Sequence, residues 1–193
     1  MTTTTHKTLR GPRGAIILSR EKYAKDLARA VFPGAQGGPH DHTTAAKAIA
    51  FAEALTPEFR MYGEQVIKNA QELARHMMEY GARIVSGGTD NHLFCIDVAT
   101  SYSIGGKQAE LLLEEIGISV NKNMIPFDMR KPLDPSGIRI GTPAVTTRGM
   151  KIPEMQVLAT IVHQSLGNPL NTDLQKNLAL QVRALCDRFP IYQ

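Results

Sequence analysis

Two cysteines, no long apolar run and no cluster of like charge set the first limits on this 193-residue chain. Cys95 and Cys186 lie far apart, one in an apolar run and one in a helical pattern, so a disulfide-built scaffold is excluded. Buried free thiols in a reducing compartment are expected instead. No apolar run approaches the roughly 20 residues needed to span a bilayer, so no membrane partner is expected. No apolar h-region opens the chain, and the expected localisation is cytoplasmic. Net charge is small as well: 22 basic against 18 acidic residues leave a formal net charge of +4. The basic residues are scattered rather than gathered on one face, which argues against nucleic acid as a partner. Internal repeats and low-complexity segments are absent too.

What is present reads as alternating strands and helices. Ala15-Ile16-Ile17-Leu18 predicts a short buried strand, and residues 20–31 predict a short helix on the spacing of Tyr23, Leu27 and Val31. "FPGAQGGPHDH", from Phe32 to His42, predicts a loop, with Thr43 or Thr44 capping an alanine-rich helix that runs to about Leu55. Thr56-Pro57 has the form of an N-cap followed by proline at the first helical position. From there Phe59, Tyr62, Val66, Ala70, Leu73 and Met77 keep a helical period up to Gly81. That helix would be about 36 Å long, enough to carry the chain from one domain into another. Beyond Ala82, "ARIVS", "LFCIDV", "ISVN" and "GIRIG" predict strands, alternating with helices near 107–116, 153–166 and 171–188. The expected organisation is therefore a first part over 1–62, a connecting helix over 63–81 and a small α/β domain over 82–193.

Three segments carry chemistry. In "TTTTHKTLRGPRG", Lys7 is a candidate for covalent attack on a carbonyl, with His6, Arg10 and Arg13 as cationic neighbours and hydroxyls on Thr2 to Thr5. As a polar tail, the same residues would be a solvated lysine and nothing more. In "PGAQGGP", Gly37 and Gly38 can bring backbone N–H groups close to a phosphate because no Cβ blocks the approach. In "SGIRIG", alternation puts Arg139 on the opposite face from Ile138 and Ile140, a placement suited to bidentate capture of a carboxylate; the competing reading is a strand-surface arginine. Asn91-His92 is read as a turn. His40-x-His42 has metal-ligand spacing, but no cysteine or third histidine lies nearby, so no metal is expected. Met77, Met78 and Met150 are expected in the packing, and Cys186 has no acid–base partner in the adjacent sequence.

Together "TTTTHKTLRGPRG", "FPGAQGGPHDH", "SGGTDNH", "NKNMIP" and "SGIRIGTPAVTTRG" resemble the signatures of the serine hydroxymethyltransferase family, in that family's order. The resemblance implies an α/β chain: a remnant of the large domain of a fold type I pyridoxal-phosphate enzyme, followed by a small C-terminal α/β domain. It implies pyridoxal 5'-phosphate as cofactor, tetrahydrofolate as co-substrate, and reversible one-carbon transfer between serine and glycine. Residue by residue, Lys7 resembles the lysine bonded to the cofactor, and Thr4, His6 and Arg13 match positions beside it. Gly37 and Gly38 match a loop reaching the cofactor phosphate of a neighbouring subunit. Arg139 matches the arginine for the substrate carboxylate, and Asn123 with Lys131, Pro132 and Leu133 matches the folate region. His40 and Asp41 depart from the family pattern, whereas His42 fits it.

The family chain is roughly twice as long, so the chain is expected to be a C-terminal half with Met1 as an artificial or alternative start. On that expectation it is inactive alone and partners itself or the missing half. A non-catalytic binding or oligomerisation module is the alternative reading. An enzyme using Lys7 without pyridoxal phosphate is a weaker third, because five matching segments would then need separate explanations.

Overall fold

A computed structural model describes residues 1–191 and divides the chain into two units, Met1–Met61 and Tyr62–Gln193. The chain is α/β, in agreement with the sequence.

In the first unit, β1 (Thr2–Thr4) pairs antiparallel with β2 (Ala15–Ile17), Thr3 opposite Ile16. A 3₁₀ turn at Glu21–Tyr23 leads into α1 (Ala24–Arg29) and a wide turn over Ala30–Ala35. Next comes α2 (Asp41–Ala54). The sequence is corrected at two points here. Ala15–Leu18 is not a buried strand: Ala15, Ile17 and Leu18 are exposed, since a two-stranded ribbon has few neighbours to cover its faces. Nor is the segment to His42 wholly loop. α2 starts at Asp41, and the Thr44 N–H already donates to the His40 carbonyl at 3.1 Å. Thr43 and Thr44 therefore lie inside the first turn rather than capping it.

The second unit holds a four-stranded antiparallel sheet in the order β3 (Arg83–Ile84), β4 (Leu93–Asp97), β6 (Gly137–Gly141), β5 (Asn121–Asn123). Most of α3 (Pro57–Glu79) belongs with it. Its buried Val66, Asn69, Ala70, Leu73, Ala74 and Met77 recur at three- and four-residue spacing, the stripe that packs on a core. The Phe59 N–H donates to Thr56 Oγ1 at 3.3 Å, so Thr56 caps α3 as its position before proline suggests. Around the sheet lie α4 (Val98–Tyr102), α5 (Gly106–Glu115), α6 (Pro143–Thr147), α7 (Ile152–Gly167) and α8 (Thr172–Arg188). Gly117, at φ +87°, ends α5 in a left-handed turn that a side chain would strain.

Alternation along β4 and β6 sends Phe94, Ile96, Ile138 and Ile140 into a core completed by Met77, Leu113 and Leu178. "ISVN" lies too early in the chain: only its Asn121 belongs to the strand, which runs over Asn121–Asn123 because these residues lie opposite Gly137–Arg139. The two free cysteines are half-buried rather than buried.

Candidate active site

Within the first unit, Thr5 is the anchor of the lysine-bearing loop. It is completely buried. Its N–H donates to the Gly14 carbonyl at 3.0 Å, its hydroxyl donates to the Pro12 carbonyl at 2.7 Å, and its own carbonyl accepts from the Gly11 N–H at 2.8 Å. These bonds tie both ends of the loop to one point, and Lys7 stands exposed on it. The Arg10 N–H closes a turn on the Lys7 carbonyl at 2.9 Å, with Arg10 itself at φ +56°. His6 Nδ1 lies 3.3 Å from the Gly14 nitrogen, so His6 braces the loop. Thr4 is half-buried at the end of β1.

Arg13, Gly37 and Gly38 come together on a groove of about 1040 Å³ that His40, Thr43, Thr44 and Lys47 also line. Lys7, Thr4 and His6 are not among its lining residues. A Cβ added at Gly37 or Gly38 would meet nothing within 4 Å, so both backbones face open space. Lys47 escaped the sequence reading. Its Nζ lies 2.8 Å from where a Cβ on Gly14 would stand, so its amine reaches the base of the Lys7 loop. The signal was legible: residues 40, 43, 44 and 47 have the spacing of a single helix face. Two glycines with open backbone, the guanidinium of Arg13 and the amine of Lys47 form a donor set suited to a phosphate, so the residues present fit the phosphate of a pyridoxal cofactor.

The remaining candidates lie in the second unit. Arg139 is exposed on the sheet face opposite the core, and its Nη2 donates to Asn121 Oδ1 at 3.2 Å. Cys95 pairs with it on the other side. Burial pushes the Cys95 thiol up, partly offset by the positive charge of Arg139. The Asn123 amide donates to the Met124 carbonyl at 2.6 Å. Lys131, Pro132 and Leu133 are exposed on the loop between β5 and β6.

Asp128 organises that loop, and no motif or spacing in the sequence marks it. Burial would raise its carboxyl, but four donors outweigh burial and hold it well below the usual carboxylate range. They are the Ser136 hydroxyl at 2.6 Å and the N–H groups of Ser136, Arg130 and Ile125. Behind β6, buried Asn69 donates to Thr146 Oγ1 at 2.8 Å and to the Met150 carbonyl at 2.9 Å, while Thr142 Oγ1 donates to the Val66 carbonyl. The threonines of "GTPAVTTRG" thereby fasten the strand of Arg139 to α3.

A family model described as serine hydroxymethyltransferase matches residues 1–162. A curated serine hydroxymethyltransferase of Mycoplasma mycoides subsp. mycoides SC is 53% identical over 193 residues, which is 100% of this chain and 46% of that relative. The chain spans about half the length of the curated relative it matches.

Proposed function

We propose a function from one premise: this chain belongs to the serine hydroxymethyltransferase family. On this reading it carries the attachment lysine and the substrate arginine of a pyridoxal-phosphate enzyme that interconverts serine and glycine with tetrahydrofolate as one-carbon acceptor. The observation that carries the reading is the Thr5-anchored loop, which holds Lys7 out to solvent from a fixed base. When bound, pyridoxal phosphate supplies a ring that withdraws electrons from the carbon next to the substrate amine.

The chain's own residues then divide the work. Lys7 offers the amine that holds the cofactor. Arg13 lends positive charge near the cofactor, and the backbone N–H groups of Gly37 and Gly38 meet the phosphate of a cofactor held by a neighbouring subunit. Arg139 orients the substrate by its carboxylate, and Asn123 with Lys131, Pro132 and Leu133 receives the folate. A second reading, an association module that pairs with a complementary chain, is favoured by one observation. The first unit exposes Leu18, Phe32, Ile49 and Leu55 at 54%, 60%, 64% and 88%.

An absorbance titration with pyridoxal phosphate, followed by borohydride reduction and peptide mapping, tests the first reading. It should be run on the chain alone and on the chain mixed with a polypeptide covering the rest of the relative's length. The expected result is a weak adduct alone and a strong one in the mixture, mapped to Lys7 and lost in Lys7→Ala. An adduct spread over other lysines in both samples overturns it. Glycine formation from serine in the mixture separates a split enzyme from the association module.

A further inference from the structure

We propose that Asn121 is a positioning residue that fixes the guanidinium of Arg139 for a small carboxylate; the inference rests on the reading of Arg139 given above. The sheet register places Cys95, Arg139 and Asn121 in one cross-strand row, Cys95↔Arg139 on β4 and Asn121↔Arg139 on β5. All three project to the face opposite Ile138 and Ile140. The contact is specific to one end of the fork: Nη2 of Arg139 donates to Asn121 Oδ1 at 3.2 Å.

An exposed arginine otherwise samples many rotamers, and freezing them on binding costs entropy. A neutral acceptor beside the guanidinium removes part of that cost without neutralising the charge. The remaining N–H groups stay open to a ligand, because an arginine has five donors and Asn121 takes one. Along β6, the residues flanking Arg139 on its own face are Gly137 and Gly141, so no neighbouring side chain of that strand crowds the guanidinium. A Cβ on Gly141 would lie 3.3 Å from the His92 carbonyl and 3.6 Å from the Leu93 Cβ. The Gly137 side is closed, with Ile125 Cγ2 only 2.7 Å from where its Cβ would stand, so the exposed backbone beside the guanidinium is that of Gly141, room for a ligand as small as an amino acid.

An acidic residue in place of Asn121 would hold the guanidinium more firmly but occupy it with a competing carboxylate. An apolar residue would release it. The two substitutions therefore separate orientation from charge, which a purely structural role for Asn121 would not do.

The test is arginine side-chain NMR on the full chain, with the Arg139 signals assigned by their loss in Arg139→Lys. Restricted rotation, seen as separate Nη resonances, is expected in the unsubstituted chain, lost in Asn121→Ala and strengthened in Asn121→Asp. Averaged resonances in the unsubstituted chain, or resonances unchanged in Asn121→Ala, overturn the proposal. A glycine titration followed at the amides of Arg139 and Gly141 is the second arm. About fivefold weaker binding is expected for Asn121→Ala, the scale of one lost hydrogen bond, and weaker still for Asn121→Asp despite its slower rotation. If glycine leaves these amides unmoved while the rotation responds to Asn121, the role of Arg139 as a carboxylate site falls and Asn121 still orients it.

Discussion

The two units of this chain contain similar kinds of residue and bury very different shares of them. Among the described residues of Met1–Met61, Thr5 and Ala50 alone are buried, while Ile17, Leu18, Val31, Phe32, Ile49 and Leu55 are exposed. From Tyr62 onward, a sheet with helices against it encloses Met77, Ile96, Leu113, Ile138 and Leu178 at no measurable exposure. Apolar side chains do not bury themselves; they need a second layer at the right distance. The first unit supplies a two-stranded ribbon and two separate helices, whereas the second supplies a four-stranded sheet and long amphipathic helices. The candidate site follows the same divide. The loop of Lys7 is held by hydrogen bonds about one buried threonine, and the strand of Arg139 is held by a core.

Substitutions at matched residue types sharpen that contrast. Ile138→Ala, at the centre of β6, should lower the stability of the second unit by about 3 kcal/mol through lost burial and a residual cavity. Chemical denaturation followed by far-ultraviolet dichroism measures it. A smaller, local loss is expected from Gly11→Ala. Its Cβ would stand 2.8 Å from the Thr5 carbonyl oxygen and 3.0 Å from the Ala50 Cβ, and backbone cannot yield as a side-chain end can. Amide exchange at Thr5 and Gly11 should quicken about tenfold or more, equivalent to roughly 1.4 kcal/mol of local stability, while the core amides of the second unit keep their protection.

The pH response is smaller again. Hydrogen bonds from Arg75 and then Gln156 hold Glu72 at about 2, against the opposing effect of burial. A carboxyl depressed on folding stabilises above its unfolded value of about 4.3, and that contribution is lost as pH falls toward 2. Glu72→Gln should cost about 1 kcal/mol at neutral pH and flatten this part of the acid limb in urea titrations at pH 5, 4, 3 and 2. Smallest of all is Ile17→Ala on the exposed ribbon, expected within about 0.5 kcal/mol of zero. A loss comparable with that of Ile138→Ala would break the comparison, since it would show the ribbon to be buried in solution.

The helices were readable wherever an apolar stripe was long. Val66, Ala70, Leu73 and Met77 announced α3, and α8 (Thr172–Arg188) matches the helix expected near 171–188. Strands were readable where a run was apolar, as in "LFCIDV", and misread where pairing decided the bounds, as in "ISVN". At the candidate site, Arg139 was legible from alternation between two isoleucines. Lys47 was missed although its helical spacing from His40, Thr43 and Thr44 was legible, whereas the role of Asp128 depends on Ser136, which folding alone brings beside it.

By itself, the sequence determined the α/β class, the long amphipathic helices and the family, since periodicity and local motifs are properties of neighbouring residues. Only the tertiary structure decided that Thr5 rather than Thr4 or His6 anchors the lysine loop, that Asn121 rather than Asn123 meets Arg139, and that the first unit leaves its apolar residues uncovered. Burial and cross-strand contact are set by what other segments bring within a few ångströms, and no local pattern records that.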